Sequence, residues 1–184
     1  TSLEYHLSSL SINEKRNDYI GVYDNLINIA DIQSSQNDFD EALKTHKKAQ
    51  KLATAKRDSM RMSLSFNYLG NTFRRKNRPE ALGYFQKSLS MSKFSTLTQN
   101  INNLINIGSI YTDRGEFEYA MKSFNEALIL AQQARIKRLF GEIYSKIGIL
   151  YLKQRKYYQA KENVIKALEF AEQTHFTDLQ RDCK

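Results

Sequence analysis

The chain repeats itself about every 40 residues. Ala30, Gly70, Gly108 and Gly148 stand 40, 38 and 40 residues apart, inside the segments LINIA, FNYLG, LINIG and YSKIG. Ser9, Ala49, Ser88, Ala127 and Ala167 stand 40, 39, 39 and 40 apart. A fixed period of this size marks units that cannot bury an apolar face alone and so stack on their neighbours. A stacked array offers a long surface that holds a partner, not a closed pocket that transforms one.

Within each period lie two amphipathic helical patterns and a short polar turn. The unit Asn102 to Ala134 shows this most clearly. Its first helix carries Leu104, Ile107, Gly108 and Tyr111 at the spacing i, i+3, i+4, i+7. A turn at Asp113-Arg114-Gly115-Glu116 follows, with Gly115 placed to end the helix in the left-handed conformation. The second helix carries Phe117, Ala120, Met121, Phe124, Ala127 and Leu128 on one face. No segment alternates strictly, so no sheet is expected.

The pattern predicts helices near 2–14, 18–35, 38–55, 59–76, 79–93, 97–114, 117–134, 137–154 and 157–174. Pro79 suits a first helical turn, where a missing N–H costs little. The turn before Ala81 is one residue shorter than the turn before Ala120. The organisation expected is one array over 1–184. Residues 1–15 read as the second helix of a partial repeat, followed by repeats at 18–55, 59–94, 97–134 and 137–174, with 177–184 opening a further helix. The array therefore reads as a fragment of a longer protein whose open repeat ends could self-associate.

Composition narrows the classes. The apolar share of 41% is enough for a core, and seven Gly with one Pro exclude collagen-like character. The single Cys183 excludes a disulfide within the chain and fits a reducing compartment, so a cytoplasmic location is expected. No apolar run approaches the roughly 18–20 residues of a membrane span, and no secretory leader is visible at the start. The net charge of +8 gathers in runs at Arg74-Arg75-Lys76-Asn77-Arg78, Lys137-Arg138 and Lys153-Gln154-Arg155-Lys156. Two of these runs end predicted helices, where cations favour the exposed carbonyls.

Small residues at two fixed places, with large ones between, resemble the tetratricopeptide repeat. The first helices read Leu26-Ile29-Ala30-Gln33, Phe66-Leu69-Gly70-Phe73, Leu104-Ile107-Gly108-Tyr111 and Tyr144-Ile147-Gly148-Tyr151. The second helices read Ala42-His46-Ala49, Ala81-Phe85-Ser88, Ala120-Phe124-Ala127 and Ala160-Val164-Ala167. Gln33 and His46 stand where the family carries aromatics, and the period is longer than the family's usual 34. In that respect the chain is similar to the repeats of kinesin light chains, cell-polarity adaptors and bacterial regulators that sense peptides. The resemblance implies an all-α, right-handed α-solenoid of antiparallel helix pairs whose first helices line a concave groove for an extended or helical peptide.

If each small residue (Ala30 or the Gly) is numbered position 8 of its first helix, positions 4, 7, 8 and 11 share one face. Positions 2, 5, 6, 9, 12 and 13 share another, which should look into the groove. That face comprises Asp24, Ile27, Asn28, Asp31, Ser34 and Ser35. In the next unit it is Leu64, Asn67, Tyr68, Asn71, Arg74 and Arg75. Asn102, Ile105, Asn106, Ser109, Thr112 and Asp113 follow, and then Glu142, Ser145, Lys146, Ile149, Leu152 and Lys153. Asn28, Asn67, Asn71, Asn102 and Asn106 recur there. An amide donates and accepts, and so can pair with the backbone of a bound strand. Arg74 and Arg75 can grip a carboxylate or phosphate, with Lys146 and Lys153 further along and Asp31 among the acidic residues that polarise the face.

His6 and His46 fall in the aromatic slot and read as packed core; His175 falls in the last expected turn. No metal-ligand spacing, phosphate loop or nucleophile–base pair occurs, so neither cofactor nor catalysis is expected. Acidic residues interrupt the basic face, which disfavours a nucleic-acid partner. The expected function is a peptide or protein interaction module. The alternative is a peptide-responsive sensor that controls a DNA-binding or kinase domain outside these residues.

Overall fold

A computed structural model of the chain describes the backbone of residues 1–182 and the side chains of residues 1–173. Among the described residues there are nine α-helices and no strand. They are α1 (Ser2–Lys15), α2 (Tyr19–Ser35), α3 (Phe39–Ala55), α4 (Ser59–Arg75), α5 (Ala81–Ser90), α6 (Leu97–Asp113), α7 (Phe117–Ala134), α8 (Lys137–Lys153) and α9 (Tyr157–Asp182). They form two compact units, Thr1–Ser95 and Thr96–Lys184. In the first, α1 packs on α2, α2 pairs with α3, α3 packs on α4 and α4 pairs with α5. In the second, α6 pairs with α7, α8 packs on both, and α8 pairs with α9.

Two elements differ from the sequence expectation. Over 79–93, α5 begins only at Ala81, because Pro79 falls in a turn closed by the Ala81 N–H on the Arg78 carbonyl, and the helix gives way to a short 3-10 turn at Ser92–Phe94. Near 175 the expected turn is not there: the α9 backbone stays helical to Asp182, through a stretch holding neither glycine nor proline. The side chains of His175 and Thr177, and Cys183 altogether, lie outside the described residues.

The turns explain the regular spacing. Asn17, Asn37, Arg57 and Asn77 have φ between 53° and 65°, and lie 20 residues apart; a second series, Gly115, Arg135 and Arg155, has the same 20-residue step and begins 38 residues after Asn77. Each is the residue just past a helix C-cap, save Arg135, which is itself the C-cap of α7. In the first turn Asn17 N–H donates to the Glu14 carbonyl and Asp18 N–H to the Asn13 carbonyl, the two bonds of a Schellman end. The same pair of bonds recurs at the other six turns. Asp18, Asp38 and Asp58 then serve twice, since their side chains also accept the N–H of Gly21, Glu41 and Arg61 at the start of the next helix. The connection from α5 to α6 lacks a left-handed residue: Ser95 is extended, and Thr96 caps α6 through the Gln99 N–H.

Small residues sit where paired helices cross. A Cβ added at Gly70 would come within 2.8 Å of the Phe85 ring, and one at Gly108 within 2.6 Å of the Phe124 ring. Both rings are fully buried. Where the first helix carries Ala30 instead of glycine, the facing slot holds the smaller ring of His46. The pairings conserve volume across the crossing, as a close-packed interior requires.

Candidate functional site

The first helices of the first unit bring Asp31 and Ser34 from α2 together with Asn71, Thr72, Arg74 and Arg75 from α4 around an open cleft of about 490 Å3. Five of these, Asp31, Ser34, Asn71, Arg74 and Arg75, lie on the face that helix geometry assigned to the groove. Arg74 and Arg75 are exposed at the last turn of α4. The Asn71 amide donates to Asn67 Oδ1 at 3.2 Å, which places Asn67 beside the cleft as its neighbour one turn earlier. Burial raises the pKa of Asp31 above the usual carboxylate range, and the positive charge of Arg75 opposes that shift.

Below the cleft lies His46. It is fully buried, and neither ring nitrogen has a hydrogen-bond partner; Nε2 stands 3.9 Å from Asp31 Oδ1, beyond hydrogen-bond reach. Desolvation lowers its pKa to about 4, so the ring is neutral at pH 7. The Tyr68 ring stacks on it at 5.5 Å. Ser34 Oγ is likewise buried without a partner and lines the cleft. A buried hydroxyl with no bond carries a desolvation cost that a bound polar group would relieve.

The other candidates are placed as follows. Asn28 is exposed on α2 and does not line the cleft. In the second unit Asn102 is exposed and Asn106 half-buried on α6, while Lys146 is half-buried and Lys153 exposed on α8. Lys153 Nζ donates to Asp113 Oδ1 at 2.7 Å, joining equivalent positions of successive first helices. The face assigned to the groove is narrower than expected: Ile27, Ser34, Ile105 and Thr112 are buried. Each first helix is flanked on two sides, and the sector between partner and groove is covered. His46 is core, as expected, whereas His6 is half-buried, with Nδ1 3.2 Å from Asn25 Oδ1.

Sequence reasoning missed a buried polar row. Position 3 of the first helix holds Asn25, Ser65 and Asn103 in three successive repeats, each nearly or fully buried, and Ile143 in the fourth. Asn25 Nδ2 donates to Ser9 Oγ and the Gly21 carbonyl, and Ser65 Oγ to the Arg61 carbonyl. A polar residue recurring at the 40- and 38-residue spacings was the available signal. Thr72, also missed, left none: it sits on the helix-facing side and spends its hydroxyl on the Tyr68 carbonyl.

Tetratricopeptide-repeat models match residues 26–59, 101–133 and 141–174, together more than half of the chain. The chain belongs to the tetratricopeptide-repeat family. Its repeats are those of a protein-interaction module. No curated protein matches it significantly by sequence. Among solved structures it is similar to BtubC from P. vanneervenii, at 19% identity and TM-score 0.82, over 94% of this chain and 73% of that one. It is similar to the Rap protein complexed with Competence and Sporulation Factor, at 17% identity and TM-score 0.78, over 98% of this chain and 51% of that one. A STAND signal-transduction ATPase with a tetratricopeptide repeat sensor, from Pyrococcus horikoshii, matches at 21% identity and TM-score 0.74, over 83% of this chain and 24% of that one. These likenesses give the fold, an all-α solenoid of helix pairs. No described helix is long and apolar enough to cross a membrane, and no described cluster of His, Cys, Asp or Glu could hold a metal ion.

Proposed function

We propose that the chain captures a peptide segment of a partner protein, and that the α2–α4 cleft is where the first unit holds it. The observation that carries this reading is the meeting of Asp31, Asn71, Arg74 and Arg75 around one open cleft whose floor keeps the unpartnered Ser34 hydroxyl. An acidic side chain of the peptide sits against Arg74 and Arg75, where a guanidinium binds a carboxylate through two parallel hydrogen bonds. Asp31 accepts from a backbone N–H or a basic side chain, so the two ends of the cleft fix the ligand's direction. Asn28 in the first unit, and Asn102, Asn106, Lys146 and Lys153 in the second, extend the same mode of recognition along each unit's own first helices.

Panning a phage-displayed peptide library on the chain tests this reading. Enrichment of Asp- and Glu-bearing peptides, lost in the Arg74→Glu/Arg75→Glu variant while helicity is unchanged, supports it; equal capture by that variant removes the cleft from the function. A second reading, a peptide-responsive sensor that controls a DNA-binding or kinase domain outside these residues, is in keeping with the sensor repeat for which the STAND protein is described. It requires that the same peptides change the activity of such a domain when it is joined to the chain.

A further inference from the structure

We propose that the exposed face of α3 is a second docking surface, on which Lys44, Lys47, Lys48 and Lys51 hold an acidic segment of a partner protein. The four lysines stand at the spacing i, i+3, i+4, i+7 and so form one stripe along the helix. All four are exposed, on the side of α3 away from the buried Ala42, His46, Ala49 and Ala53. Lys44 meets Glu41 Oε1 one turn earlier, whereas Lys47, Lys48 and Lys51 have no ion-pair partner among the described residues.

The repeats supply their own control. The same four places, counted from the small residue of each second helix, are exposed on α5, α7 and α9 as well. There α5 keeps only Lys87, α7 offsets Lys122 with Glu126, and α9 sets Lys166 between Glu162 and Glu169. The fold therefore asks nothing of these places but contact with water, and three helices fill them with neutral or mixed side chains. Among these second helices α3 alone fills them with four like charges. Lys44–Lys47, Lys44–Lys48, Lys47–Lys51 and Lys48–Lys51 are each a like-charge pair that destabilises the helix. A local rule broken with no structural return marks a place kept for something outside the molecule.

Charge complementarity gives the chemistry of the occupant. Ammonium groups are point charges on flexible stems and accept carboxylates without the planar geometry that arginine imposes. The stripe ends against Asp40 and Glu41, both exposed at the N-terminal end of α3. A phosphate backbone or a headgroup layer is negative throughout and is repelled there. A peptide stops short, or sets a basic residue opposite the two carboxylates, which also fixes its direction. No large apolar side chain of α3 is exposed to enter a bilayer, and no aromatic one to stack a base. This surface is separate from the α2–α4 cleft, and either can fail without the other.

A fluorescein-labelled peptide of alternating Glu and Ser is titrated at low salt with the Arg74→Glu/Arg75→Glu chain, whose cleft no longer takes acidic side chains. Saturable binding is expected below about 1 mM, weakening steeply as salt is raised to about 0.3 M. Adding Lys47→Glu/Lys51→Glu should weaken it at least about tenfold. Adding Lys137→Glu/Arg138→Glu, which lowers the net charge by the same amount, should change it less than about twofold. All four substituted positions are exposed, and unchanged helicity checks that each variant folds. Absence of saturation overturns the proposal, and so does equal weakening by the two pairs, because overall charge then accounts for the binding. Tighter binding of a short DNA duplex or of phosphatidylserine vesicles, lost in Lys47→Glu/Lys51→Glu, overturns it too, because the occupant is then a phosphate polyanion.

Discussion

The two units use the same helix pairs to enclose different interiors. In Thr1–Ser95 the places between helices hold His46, the Tyr23 hydroxyl donating to the Arg61 carbonyl at 2.9 Å and meeting Ser65 Oγ at 3.1 Å, and Ser88 Oγ donating to the Ser63 carbonyl. In the second unit the largest buried groups are Phe124, Ile101, Ile105, Leu139, Ile143 and Leu150. Gly108 faces Phe124, and Ala30 and His46 stand at the same register places in their own helix pair. Stacking therefore demands shape and tolerates polarity, provided that each buried polar group finds a partner. His46 finds none, and that makes the first unit the one whose stability depends on pH.

The largest expected effect probes that difference. His46 has its folded pKa at about 4, against about 6.5 in an unfolded chain. Between those values the unfolded state binds the extra proton, so stability is complete above about pH 6.5 and falls as the pH drops toward 4. The loss on going to pH 4.5 is on the order of 3 kcal/mol. Urea unfolding at pH 7 and pH 4.5 measures it, against an Ala30→Gly/His46→Phe variant that copies the Gly108–Phe124 pairing. Equal acid sensitivity of the two proteins would show that His46 is not the cause.

A smaller effect tests the crossing in the other unit. Gly108→Ala places a methyl against the buried Phe124 ring. Overpacking of this kind costs about 1–3 kcal/mol, against about 1 kcal/mol gained in helix propensity. A net loss of up to about 2 kcal/mol is expected in thermal or denaturant unfolding, and Phe124→His in the same chain should recover part of it by copying the residue types of Ala30 and His46. A gain in stability would mean that the ring moves aside freely.

The smallest effects lie in the turns. Gly115 has φ of 77° with nothing near its missing side chain, and Arg135 has φ of 55°. Gly115→Ala should cost about 1 kcal/mol and Arg135→Gly should gain somewhat less, because a left-handed residue with a Cβ is strained by about 1–2 kcal/mol and glycine gives part of that back as chain entropy. Matched melting curves resolve the two signs.

Helix number, order and nearly all boundaries were legible from apolar spacing, since a 3.6-residue period is a property of each helix alone. Gly115 announced its left-handed turn. Asn17, Asn37, Arg57, Asn77, Arg135 and Arg155 did not, because they are held in that conformation by Schellman bonds that any residue can make. The cleft residues Asp31, Asn71, Arg74 and Arg75 followed from one helical wheel. Ile27 and Ile105 did not, since burial there depends on a neighbouring helix that no single wheel contains. Asn25 and Asn103 fall at position 3, on neither of the two faces that wheel separates, and burial hides both.

The double duty of Asp18, Asp38 and Asp58 has a further consequence. At these three joints the backbone ties off the end of one helix and the aspartate that follows anchors the start of the next, so phase is reset at each of them. Errors in one helix's length are not carried forward. A copy of residues 18–57 spliced after Arg57 would add a complete pair in register, which makes such a chain extensible in whole steps and intolerant of half ones.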